Sequence, residues 1–353
     1  MMRGGTSRGP YFHADDLPAD RSERDQVLLA AMGSPDNRQI DGIGGATTLT
    51  SKVAIISRSD HEWADVDYLF AQVSVDEPFV DYGPTCGNIL TGVGPFAIEN
   101  GLVPVNDSET VVKIRCVNTK SFAEVFVTTH LGEVEYEGDI AIDGVPGTAA
   151  PILVNFLGVI GSKTGELFPT GNRKDVIEGL EASCMDVAIP MVLTTAKSMG
   201  IDGSETKAEL DVNKELLEKI EVIRIKAGEK MGLGDVRGKV IPKFGILSEP
   251  RYGGSITSRY FVPNDCHSAH AVSGAICVGS CALVPGTVAD GLARITGKLS
   301  ETIEIEHPSG FIRTVFELDS AGEEFALNKV GVIRTARKLF QGEIYVPGTL
   351  WSR

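Results

Sequence analysis

A chain of 353 residues, 42% hydrophobic and 23% charged, has room for two domains of ordinary size and the balance of a water-soluble globular protein. Its net charge of −15 argues against nucleic acid or an anionic membrane as partner, yet leaves room for a local cationic pocket that takes small anions. Six scattered cysteines (Cys86, Cys116, Cys184, Cys266, Cys277, Cys281) are too few for a disulfide scaffold, and MMRGGTSRGPYF lacks the apolar core of a signal peptide. Together these point to a reducing, cytoplasmic compartment.

In chain order, MRGGTSRG reads as a glycine turn carrying Thr6 and Ser7, with Arg3 and Arg8 nearby. RSERDQVLLAAMG is helical. DGIGGATTLTSKVAII, residues 41–56, runs from a glycine-rich turn through hydroxyls into an apolar strand headed by Lys52. FAQVSV alternates as a strand, and DYGPTCGN then leads into a nearly uncharged segment, 82–98, too broken by Gly and Pro to span a membrane. That segment reads as a buried helix opened by Cys86-Gly87-Asn88, with Pro95 predicting a kink or early end. VVKIRCVNTKSFAEVFV follows as a strand pair.

The same order then recurs. After a boundary near 165–185, ETKAELDVNKELLEKIEVIRIKAGEKMG is amphipathic, with Leu210, Leu216, Leu217 and Ile220 near the helical period. SRYFVPNDCHSAHAVSGAIC ends a strand and opens a second uncharged segment, 268–289, at Ser273-Gly274-Ala275. TIEIEHPSGFIRTVFEL is its strand pair. The expectation is an α+β chain of two pseudo-symmetric domains, 1–175 and 176–353, with the last strand free to return to the first domain. Each domain is a strand-rich barrel wrapped around a central apolar helix, because a helix without a polar face must be covered on all sides.

Helix N-termini expose unpaired N–H groups and partial positive charge, so two inner helix starts brought together make a site for a di- or tricarboxylate. Cys86 at such a start could act as acid, base or nucleophile; the competing reading is a small apolar packing residue. Lys52 could be an ordinary solvated lysine at a strand end. The glycines and hydroxyls around it favour instead a partly desolvated general base. In DCHSAH, the spacing of Cys266, His267 and His270 is too irregular for a zinc motif, so His270 is read as a polar residue near the second helix start, His267 as structural, and no metal is expected. DGIGGAT and GLGDVRG are poor dinucleotide fingerprints, and a nicotinamide cofactor is not expected.

MRGGTSRG, DGIGGATTLTSKVAI, DYGPTCGNILTGVGPFAIENGLV and AHAVSGAIC, in this order along nearly the whole chain, resemble the family of 2-methylaconitate isomerase and 4-oxalomesaconate tautomerase. The wording of GSPDNRQIDGIGGATTLTSKVAII is closest to the 4-oxalomesaconate branch. The resemblance implies the diaminopimelate epimerase-like fold and a cofactor-independent isomerase of unsaturated polycarboxylates, in aromatic-acid catabolism. It implies that Lys52 is the catalytic lysine and Cys86 the cysteine of the site. It also implies that Thr6, Ser7, Ser51, Gly87, Asn88, Ser273 and Gly274 lie around the substrate. Racemases of this fold oppose two cysteines; here Ser273 stands at the second helix start, which disfavours two-base inversion at one carbon. The alternatives carried forward are a 2-methylaconitate or aconitate isomerase of the same family and a non-catalytic polycarboxylate-binding protein. A homodimer is left open.

Overall fold

The computed structural model describes residues 1–262, 265–320 and 326–351. The chain folds as two compact units, one of Met1–Leu157 with Ile333–Arg353 and the other of Gly158–Val332.

In the first unit, alternation becomes pairing. Ser108–Cys116 and Ser121–His130 are antiparallel from Ser108 opposite Thr129 to Cys116 opposite Ser121. Every second residue (Val112, Ile114, Val125, Val127) is buried in one apolar core. The sheet continues in the order Ile152–Leu157, Ser121–His130, Ser108–Cys116, Val66–Val73, Lys52–Arg58, Tyr11–His13. Helix α1 (Arg21–Met32) is capped by the Asp20 carboxylate, which accepts from Glu23 N at 3.0 Å, and ends at Gly33 in the left-handed region. It covers the outer face of the sheet, packing Val27, Leu28 and Met32 on Val53 and Ile55.

The inner helix comes in two pieces, α2 (Gly87–Thr91) and α3 (Val93–Glu99). Pro95 falls in the first turn of α3. Its ring would strike the carbonyl four residues back, that of Thr91, so the break falls at Gly92 rather than at the proline itself. Ile89, Leu90, Val93 and Ala97 pack against Ala54, Ile56, Tyr68 and Phe70 on the inner face of the sheet.

The second unit repeats this plan. Its strands run Leu180–Val187, Ile189–Thr195, Lys243–Ser248, Ile256–Phe261, Ser300–His307, Gly310–Ser320. From Ile189–Thr195 onward the neighbour relations are parallel, antiparallel, parallel, antiparallel. From Tyr11–His13 onward in the first unit they are the same. Short helix α4 (Ala196–Met199) and α5 (Lys207–Val212) precede α6 (Lys214–Lys230), the outer helix. The long amphipathic segment is therefore divided at Asn213, whose side chain caps α6 by accepting from Leu216 N. The inner helix α7 (Val272–Leu283) has ten consecutive buried residues from Gly274. No helix among the described residues is long and apolar enough to cross a membrane.

Candidate functional site

Lys52 is the first residue of its strand, and alternation puts it on the same side as Ala54 and Ile56, the side facing the inner helix. Its Nζ donates to Gln72 Oε1 at 2.7 Å and lies 5.2 Å from the centre of the Phe70 ring. Gln72 is directly opposite Lys52 in the antiparallel pair. The Gln72 amide is held the right way round, because its Nε2 donates to Ser51 O at 3.0 Å and Thr48 O at 3.2 Å. Ser51 is fully buried and donates through Oγ to Gln39 Oε1 at 2.9 Å. Gln39 Oε1 also accepts from Ala46 N at 2.7 Å, so one buried amide pins both ends of the glycine-rich turn ahead of Lys52. Gly9 touches the lysine's own backbone: a Cβ there would lie 1.6 Å from Lys52 O. Only glycine lets the first segment run this close to the strand head.

Cys86 is the N-cap residue of α2, with no side-chain cap bond. All six cysteines are free; Cys86 is half-buried and the other five are buried. Burial pushes the Cys116, Cys266 and Cys281 thiols up to about 11 and Cys184 to about 12, which makes them poor nucleophiles. Tyr68 donates to Cys86 O at 3.3 Å and Tyr11 to Ile89 O at 2.6 Å. Burial, and then the nearby Cys86, hold both phenols well above their ordinary value, so both remain donors at neutral pH. Lys52, Phe70, Tyr68 and Cys86 thus follow one another along a single wall.

The hairpin of Met2–Gly4 and Ser7–Gly9 lies against the start of α2. Gly4 and Ser7 face each other in register, and a Cβ on Gly4 would meet Asn88 O at 2.4 Å, so Ser7 shares the side turned to α2. Asn88 Nδ2 donates to Thr6 Oγ1 at 3.1 Å. Among the described residues, Ser7 Oγ, on a side chain only 2% exposed, and Asn88 Oδ1 have no partner, nor do Arg8 Nε and Thr85 Oγ1 nearby in the chain. Buried polar atoms are almost always paired, so Ser7 Oγ and Asn88 Oδ1 leave hydrogen-bonding capacity for a ligand beside Cys86 and Gly87.

In the second unit, Ser273 and Gly274 fall in the first turn of α7, Ser273 half-buried and Gly274 buried under the Tyr260 ring. His270 is 7% exposed; its Nε2 shares a hydrogen bond with Ser258 Oγ at 3.1 Å, and its ring is 4.8 Å from Tyr260. His267 Nδ1 accepts from Ala269 N at 3.0 Å, and Cys266 Sγ turns to His267 O at 3.5 Å. Cys266, His267 and His270 are therefore committed to separate partners. No group of three His, Cys, Asp or Glu among the described residues could hold a metal ion.

The family model described as PrpF protein matches residues 1–347. The chain belongs to the PrpF family. It is 49% identical to the 4-oxalomesaconate tautomerase of Pseudomonas putida, covering 100% of this chain and 96% of that one. It is 51% identical to the putative isomerase YbhH of Escherichia coli, over 98% of both. A crystal structure of a methylitaconate-delta-isomerase, 38% identical, superposes with a TM-score of 0.91 over 100% of this chain and 97% of that one. This PrpF-family chain is thus an isomerase with the α+β, epimerase-like fold expected from its motifs.

Thr6, Ser7, Cys86, Gly87 and Asn88 of the first unit gather at the start of its inner helix, and Lys52 heads the strand on that helix's side, whereas the side chain of Ser51, one residue earlier, turns to the other side of the strand and to Gln39; Ser273 and Gly274 lie in the first turn of α7, with His270 just ahead of it, in the second unit. Two amides that hold the strand head of this PrpF-family chain, Gln39 and Gln72, went unread in the sequence. Their only signal is indirect: a lysine and a buried serine at a strand head each need a partner, and the next strand supplies Gln72 in register.

Proposed function

We propose that this chain shifts a proton within an unsaturated polycarboxylate of the 4-oxalomesaconate type, with Lys52 as general base. The observation that carries this reading is Lys52 itself, a strand-head amine on the inner-helix side, oriented by a pinned amide that is neutral. A neutral partner fixes the amine without the strong bias toward the charged form that a carboxylate would impose. The free amine takes a proton from the carbon conjugated to the substrate carbonyl. The electron pair moves into a dienolate, and the resulting ammonium returns the proton at the other end of the conjugated system. Substrate and product have the same oxidation level, so the step calls for no redox cofactor. Ser7 Oγ, Asn88 and the first N–H groups of α2 hold a carboxylate or the enolate oxygen. Cys86 lies at the same helix start, as proton donor or as a polarisable wall.

The identity of 49% to a 4-oxalomesaconate tautomerase supports this substrate over that of the 38% identical methylitaconate isomerase. The test is the ultraviolet time course of purified protein with 4-oxalomesaconate, beside Lys52→Met and a chelated control. Positioned proton transfer contributes about 10²–10⁴-fold, so Lys52→Met should lose at least about 10²-fold in kcat, while chelation leaves the native rate unchanged. Turnover of 2-methylaconitate or aconitate alone would move the assignment to that branch. Binding without turnover of any of them would mean a polycarboxylate-binding protein.

A further inference from the structure

The terminal strands of the first unit have two faces, and a buried cation is left over on one of them. Met2–Gly4 runs antiparallel to Ala336–Lys338, with Gly4 opposite Ala336 and Arg3 opposite Arg337. Met2 and Ala336 join the inner-helix core, and Gly4 abuts Asn88 O. Arg3 turns the other way, where it donates to Thr335 Oγ1 at 3.0 Å. The ladder goes one step further, since Gly5 N donates to Thr335 O at 2.9 Å. Thr335 is therefore still paired as in a strand, and alternation brings the preceding residue, Arg334, back to the side of Gly4, Ser7 and Asn88.

A separate contact also puts Arg334 beside Thr6. Asp143 is the charged group whose field reaches Arg334. The next residue, Gly144, is so near the hairpin that a Cβ on it would lie 3.3 Å from Thr6 Cγ2. Thr6 Oγ1 in turn accepts from Asn88 Nδ2 at 3.1 Å. Arg334, Thr6, Ser7, Asn88 and Asp143 all belong to the first unit, so the arrangement is complete within it.

Arg334 is 9% exposed, and its Nη1 donates to the carbonyl of the preceding Ile333 at 3.0 Å. Among the described residues its Nε has no partner and no carboxylate forms an ion pair with it. Asp143 sits on an exposed turn and acts from a distance. An arginine this buried is almost always paired, and packing alone would be served better by an apolar side chain. Burial lowers the guanidinium to about 10, against the pull of Asp143, so it is still charged at neutral pH.

We propose that Arg334 binds a carboxylate of the polycarboxylate substrate on the face it shares with Ser7 and Asn88. The assignment rests on the polycarboxylate reading above and adds to it the cation that the hydroxyl and amide there lack. An arriving carboxylate supplies the missing partner of Nε, and a charge-assisted bond of that kind is about twice as strong as a neutral one.

The experiment is calorimetric titration with tricarballylate, a saturated tricarboxylate that cannot tautomerise, into the native protein, Arg334→Met and Arg334→Lys. The expected result is a rise in Kd of about tenfold or more in Arg334→Met and partial recovery in Arg334→Lys. The melting temperature of unliganded Arg334→Met should be no lower than native, because the variant buries no unpaired charge. A Kd within about twofold of native in Arg334→Met overturns the assignment and leaves the polycarboxylate reading intact. Native protein that binds neither tricarballylate nor 4-oxalomesaconate defeats both. Should the Arg334 variants not fold, Asp143→Asn, a change on an exposed turn, takes their place. Removing the carboxylate that repels the incoming anion should lower Kd about threefold at low ionic strength, and an unchanged Kd overturns the assignment.

Discussion

At the residue scale, the proposed role of Lys52 as base turns on what holds its amine in place. Gln72 does this through two bonds that fix its amide and one that it accepts. Gln72→Glu preserves the shape but puts a carboxylate 2.7 Å from the amine, and an anion at that distance favours the ammonium form. The expected outcome is a fall in kcat of about tenfold or more at pH 7, with activity regained as pH is raised. Gln72→Met, which removes the orienting bond without adding charge, should lower kcat with no comparable shift of the pH profile. A pH–rate profile for the two variants separates these effects. Lys52 and Cys86 stand out in the sequence as candidates because each adjoins a turn rich in glycine and hydroxyls, whereas Gln72 becomes visible only through its register opposite Lys52.

At the element scale, periodicity predicted the strand pairs and both outer helices well, since each buries one face and exposes the other. Breaks inside helices were harder to see. Pro95 announced an interruption, and its reach back to the Thr91 carbonyl puts the break at Gly92, where close packing also leaves no room for a side chain: a Cβ there would lie 2.5 Å from Tyr11 Oη and 2.7 Å from Cζ. Tyr11 cannot give way easily, being 6% exposed and bound to Ile89 O. Gly92→Ala should therefore destabilise the protein by about 1–3 kcal/mol, in spite of alanine's better helix propensity. Urea denaturation followed by circular dichroism measures this. A stabilised variant would show that the junction between α2 and α3 can relax to admit a side chain.

At the scale of the whole molecule, the tail completes the first unit. Ala336–Lys338 pairs antiparallel with Met2–Gly4, and Arg3 Nη1 donates to Thr335 O at 2.9 Å and Oγ1 at 3.0 Å. Ala336 joins the inner-helix core, while Trp351 packs on the core beneath α1, so one short segment reaches both faces of the sheet. A chain ending at Val332 leaves the strand Met2–Gly4 without its second neighbour and loosens the hairpin that carries Thr6 and Ser7. Both tryptophans, Trp63 and Trp351, belong to the first unit, so in the truncated chain Trp63 fluorescence reports that unit alone. Its urea midpoint should fall, and KM for the proposed polycarboxylate should rise, because on the proposed reading the loosened segment holds the substrate and leaves Lys52 in place. Amide exchange in α7, buried in the second unit, should change little if the units unfold independently. An equal loss of protection in α7 would mean that the two units unfold as one cooperative body, and an unmoved Trp63 midpoint would mean that the tail contributes nothing to the first.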